Sequence, residues 1–182
     1  MQGTDVLLSL AEIAGVFVGF GALIAVRSGG PSEAFEVGYM RGLVSFGVLT
    51  VVAALAPVTL GGYGLTTHEV WVLSSLLVLV GYLVVFAVSA GTPEYRTNMR
   101  DWYEGTKSWR WWVTQVASWL FMAALLLALV IVMLGLFPDQ EAALYFTVVV
   151  LSLLLAAWLL LYLVFAQRPS ATVSDLAERP SA

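Results

Sequence analysis

From Leu120 to Phe137 the chain carries no charged or strongly polar side chain, and that run is the tightest constraint on what it can fold into. The hydrocarbon slab of a bilayer is roughly 30 Å thick and a helix rises about 1.5 Å per residue, so one crossing takes about 20 mainly apolar residues. Four other stretches meet the same test, and the spacing predicts spans over 6–26, 42–61, 70–90, 111–137 and 142–166. Apolar residues make up 60% of the sequence and charged residues 11%; a water-soluble core could not absorb that much apolar surface. No ten-residue window alternates strictly between apolar and polar, which disfavours a transmembrane β-barrel. In lipid a helix satisfies its own backbone hydrogen bonds. The expected fold class is therefore all-α, a polytopic bundle of five transmembrane helices.

The first stretch fits a cleavable signal peptide badly. No Lys or Arg precedes it, it carries Asp5 and Glu12, and it is longer than the usual signal core. It reads as a retained span. Orientation follows from the basic residues. Arg27 and Arg41 flank the first connection, Arg96, Arg100, Lys107 and Arg110 lie in or beside the third, and Arg168 and Arg179 are in the tail. The second and fourth connections have none. Positive residues stay on the cytoplasmic side, so the expected topology is N-terminus out and C-terminus in, in the cytoplasmic (inner or plasma) membrane.

The net charge of −4 is concentrated on the outer side, at Asp5, Glu69, Asp139 and Glu141. That argues against a nucleic-acid partner and against a polybasic lipid clamp. With no cysteine there is no disulfide framework, thiolate nucleophile or sulfur-ligated metal.

In the third connection Thr92 is placed to cap, Pro93 to begin and Gly105 to end a short helix over 93–104. Tyr95, Met99, Trp102 and Tyr103 recur at helical spacing along it, the pattern of an interfacial helix on the cytoplasmic leaflet; the sharper reading is a surface for docking a partner. Trp109, Trp111 and Trp112 follow where the fourth span enters, and aromatic rings at headgroup depth are ordinary anchors. The polar tail, 167–182, has too little apolar content to pack.

The first span has the most structured pattern. At about 100° per residue, Ala11, Ala14, Gly15, Gly19, Ala22 and Ala25 gather on one side, and small residues let helix backbones approach closely in lipid. This predicts a central, tightly packed helix whose small face meets either the second span or another protomer. Glu12, the one acid inside the five predicted spans, borders that face. A carboxylate about 10 Å below the headgroups must be paired, hydrated or protonated. It is a candidate polar site, with a structural hydrogen bond to Ser9, to a neighbouring Ser or Tyr, or to His68 as the plainer alternative. His68 is the only histidine, at the outer mouth of the third span. Arg41, near the cytoplasmic end of the second span, is expected to snorkel outward rather than reach Glu12. Pro57 is a candidate hinge.

Enzymatic templates fail on inventory. There is no HExxH, no phosphate loop, no Cys nucleophile, no Lys within a span and no intramembrane carboxylate pair. One His and one Glu make a poor metal site, and no cofactor is implied. The expected function is a non-enzymatic, assembly-forming or accessory subunit of a membrane complex, partnered by lipid and by copies of itself or other membrane subunits. The alternative is an oligomeric ion channel or proton-coupled transporter that uses Glu12.

Overall fold

The computed structural model describes residues 4–27, 34–93, 95, 96, 100 and 109–166. Five long helices make up almost all of it: α1 (Thr4–Arg27), α2 (Ala34–Gly61), α3 (Thr67–Ala90), α4 (Trp109–Met133) and α5 (Glu141–Ala166). A 3-10 turn, Pro138–Gln140, leads into α5, and no strand occurs among the described residues. All five helices are long and apolar enough to cross a membrane. The starts of α1, α3 and α5 and the ends of α2 and α4 define an upper end of the bundle.

Apolar side chains cover the outside of the bundle as well as its core. Leu83, Val84, Val88, Leu120, Leu127, Leu154 and Trp158 are exposed, whereas Thr50, Ser74, Ser75 and Ser152 are buried. Apolar surface of this extent would drive aggregation in water but is at rest in hydrocarbon. With apolar residues on every side, burial of oil cannot decide which helix faces touch, and close packing and hydrogen bonds decide it instead.

Close packing is visible along the α1–α2 hairpin. Val18 sits where a Cβ on Gly47 would be, and Leu43 sits where a Cβ on Gly21 would be. Residue numbers therefore rise along α1 as they fall along α2. Leu49 of α2 fills the same kind of notch at Gly81 of α3. The expectation that the first span is central is corrected here. α1 packs on α2 and α5 at the side of the bundle, and α5 is the helix that touches all four others. The reason lies in the side chains of α5, where Tyr145, Val148, Val149, Ser152 and Ala156 are all buried.

One span boundary also shifts. The fourth helix, expected to run to Phe137, stops at Met133. Gly135 adopts φ +59°, its N–H donates to the Val132 carbonyl at 3.1 Å, and the Leu136 N–H reaches back to Ile131 at 3.4 Å. That is a Schellman stop, in which a left-handed glycine caps the last carbonyls. Uniform hydropathy through Phe137 hid it. The second helix begins at Ala34, and its apolar stretch, Met40–Gly61, agrees with the expected span over 42–61.

In the third connection Thr92 caps as expected, its Oγ1 accepting from the Tyr95 N–H at 3.3 Å, and residues 93, 95, 96 and 100 are helical. Met99, Trp102, Tyr103 and the rest of 93–104, and the tail 167–182, lie outside the described residues.

Candidate functional site

At the upper rim, α3 begins with a capping box. The Thr66 Oγ1 accepts from the Glu69 N–H at 3.4 Å, and the Glu69 carboxylate accepts from the Thr66 N–H at 2.8 Å and from its hydroxyl at 2.9 Å. This fixes the first turn and directs His68 toward α5. There the His68 Nδ1 lies 2.7 Å from Glu141 Oε1, and Glu141 is only 4% exposed. Gly135 makes room for the imidazole, since a Cβ at that position would come 3.3 Å from His68 Cε1. The pair ties the starts of α3 and α5 to the end of α4. Its acid sits at the first turn of α5, where the helix dipole favours a negative charge.

Below the rim, hydroxyl groups join α2, α3 and α5. The Tyr145 hydroxyl of α5 donates to the Ala53 carbonyl of α2 at 2.7 Å. Pro57 explains why that carbonyl is open. It lies inside α2, four residues after Ala53, and has no N–H to give. A carbonyl orphaned in hydrocarbon costs several kcal/mol by order of magnitude, and Tyr145 supplies the missing donor. The Tyr145 ring is held against Trp71, with centroids 5.4 Å apart.

One level further down, Tyr82 of α3 bonds Ser152 of α5. The Ser152 hydroxyl has one proton and gives it to Val148 at 2.7 Å, so Tyr82 is the donor in that pair. Ser74 and Ser75 are fully buried, and the Ser74 hydroxyl neighbours that of Tyr145. Both hydroxyl chains terminate on backbone carbonyls. A carbonyl accepts a proton donor but has no proton to pass on, so this arrangement joins helices rather than forming a relay.

Glu12 belongs to neither cluster. It is exposed on the outward side of α1 and has no hydrogen bond or ion pair among the described residues. His68 is engaged by Glu141, so the structure does not bring Glu12 and His68 together. Arg41 is exposed and lies just below Leu43, which faces Gly21. Glu12 is about 14 Å above Gly21 along the helix axis, and the two charges are well separated.

The small-residue face of α1 is divided. Ala11 and Ala14 are buried, turned toward the bundle. Gly15 and Gly19 are exposed, and a Cβ at either would meet nothing within 4 Å; Ala22 is exposed as well. The side chain of Ala25 is outside the described residues. Glu12 and Gly19 are within about 20° of one another around the helix and Gly15 within about 60°. The outward surface of α1 thus combines a carboxylate and a shallow glycine groove, flanked by Leu8, Val16, Phe20 and Leu23, all exposed.

Tyr95 packs edge-on against Phe86 at 6.5 Å, and Phe86 in turn meets Trp119 at 5.6 Å. Trp112 is exposed; the side chains of Trp109 and Trp111 are outside the described residues. Pro57 is buried within a continuous α2. No group of three or more His, Cys, Asp or Glu able to hold a metal occurs among the described residues.

Glu141, Tyr82, Tyr145, Ser152 and Ala53 carry the interhelical chemistry, yet reading the sequence did not single them out as a site. One available signal was Pro57, since a proline inside a span announces an open carbonyl four residues earlier. Compared with models of protein families, with curated proteins and with solved structures, the chain matches none.

Proposed function

We propose that this protein is a non-enzymatic, assembly-forming or accessory subunit of a membrane complex that docks through the outward face of α1. The observation that carries the reading is the unpartnered Glu12 on the same face as the open glycines Gly15 and Gly19. A carboxylate facing hydrocarbon is costly, and intramembrane acids turn toward protein or water. Glycine in a span lets a second backbone come close enough for dispersion and weak Cα–H bonds to hold it.

In this reading the five helices cross the cytoplasmic membrane with the upper end outside and the C-terminus inside. The basic residues support it, because Arg27, Arg41, Arg96, Arg100 and Arg110 all belong to the lower end. Among the described residues no Lys or Arg stands at the depth of Glu12, so these offer no base to it from a second copy in the same orientation. A different subunit with a Lys, Arg or hydrogen-bond donor in the outer half of its span meets the need more fully. A proton path within a single chain gains no support from the bundle, since Glu12 faces outward and the hydroxyl chains end on carbonyls.

Cross-linking in native membranes, followed by purification in mild detergent, tests this. The parent is expected to retain a partner, and the variant carrying Gly15→Leu and Gly19→Leu is expected to lose it while its own thermal unfolding is unchanged. A parent that is a lone chain in the membrane, or a variant that keeps its partner, contradicts the proposal. Glu12→Gln in liposomes separates the transport alternative, which requires a flux that falls with this change.

A further inference from the structure

We infer that the His68–Glu141 pair is a proton-sensitive clasp at the upper rim, one that grips α3 and α5 firmly while the imidazole is cationic and relaxes when it is neutral. The two members differ in access. The His68 side chain is 57% exposed and exchanges protons with water, whereas that of Glu141 is 5% exposed and shielded from it. Their Nδ1 to Oε1 distance of 2.7 Å is in the range of charge-assisted bonds, which are roughly twice as strong as neutral ones. A neutral imidazole still donates from Nδ1 but leaves a buried carboxylate unneutralised. A cationic one makes the same bond and supplies the opposite charge.

The groups around the pair leave His68 as the source of that charge. α3 also brings Glu69, close enough to feel the charge on His68 but bonded to Thr66. The turn before α5 brings Asp139 and α1 brings Asp5, both exposed. The end of α2 contributes the exposed Tyr63, and the end of α4, through Phe137, contributes no titratable side chain. Tyr145, one turn below Glu141, gives its hydroxyl to Ala53. No Lys or Arg stands at this end among the described residues. The charged neighbours are thus all acidic, and histidine is the side chain whose charge changes between about pH 5 and 8. Closing the rim pairs the cation with Glu141, so the closed rim holds the proton more tightly than an opened one. Its grip is therefore strongest on the acid side and weakens as pH rises. The clasp acts where α3 and α5 begin, with Gly135 of the α4 stop against the imidazole and the Trp71 and Tyr145 rings in contact one turn below.

Amide hydrogen exchange in nanodiscs tests the clasp, with each variant compared with the parent at the same pH so that the intrinsic exchange rate cancels. His68→Gln keeps a donor for Glu141 but cannot take a charge. Over 67–72 and 138–146 it is expected to exchange about tenfold faster than the parent at about pH 6, and less than about threefold faster at about pH 8. In a Glu141→Gln background, which removes the carboxylate and nearly keeps its shape, adding His68→Gln is expected to change exchange less than about threefold at either pH. The same factor at both pH values, including none, overturns the clasp, as does an acceleration that survives Glu141→Gln. Acceleration shared by all five helices overturns it too, since the pair would then hold the whole bundle rather than its rim.

Discussion

Ser152 and Tyr82 share one hydrogen bond but stand to lose different amounts from its removal. Ser152 donates to Val148 whether or not Tyr82 is hydroxylated, so Tyr82→Phe leaves Ser152 satisfied. Ser152→Ala instead leaves the buried Tyr82 hydroxyl without its acceptor. The expected loss is about 1–2 kcal/mol for Ser152→Ala and roughly half of that or less for Tyr82→Phe. Reversible unfolding in mixed detergent checks the order, and equal losses would show that the donor has been misassigned. At this scale the sequence was least legible. A single hydroxyl scarcely alters the hydropathy of a span, and Tyr82 finds Ser152 only after α3 and α5 have taken their register. Glu141 is hidden differently: the sequence places it among the outer-side charges, but it is the first residue of α5, buried and bonded to His68.

Glycines sort the helices by whether a neighbour occupies the space beside them. Val18 is β-branched and stiff at χ1, and it fills the notch at Gly47. Gly47→Ala is expected to push the α1–α2 hairpin apart and cost about 1–3 kcal/mol. Gly15→Ala and Gly19→Ala, on the open face, are expected to leave the isolated chain within about 0.5 kcal/mol of the parent. Thermal unfolding of the monomer in detergent compares the three directly, and a Gly19→Ala loss as large as that at Gly47 would mean that the outward face is already occupied within the chain. The small face of α1 was legible as a pattern at 100° per residue. Its division between the bundle and the outside was not, because the division depends on Gly47 and Leu43 of another helix. The end of α4 was legible in principle: Gly135, with an apolar residue after it and Pro138 beyond, is a stop signal that an unbroken apolar run masked.

Across the whole molecule, five helices and their approximate limits follow from the length of the apolar runs alone, since bilayer thickness leaves few other solutions for a chain that is 60% apolar. Which helix occupies the centre did not follow, because lipid is as apolar as leucine and gives no preference among apolar faces. The centre went to α5, whose tyrosine and serine both bond across to neighbours. The proposed partner, with its donor in the outer half of a span, depends on the upper end being outside. Because the chain has no cysteine, single cysteines at Tyr63 and Arg96, exposed at opposite ends of α3, report its sidedness without background. With a membrane-impermeant maleimide on intact cells, Tyr63→Cys is expected to label at once and Arg96→Cys only after permeabilisation. Labelling of both from the same side, or the reverse order, would contradict the proposed topology.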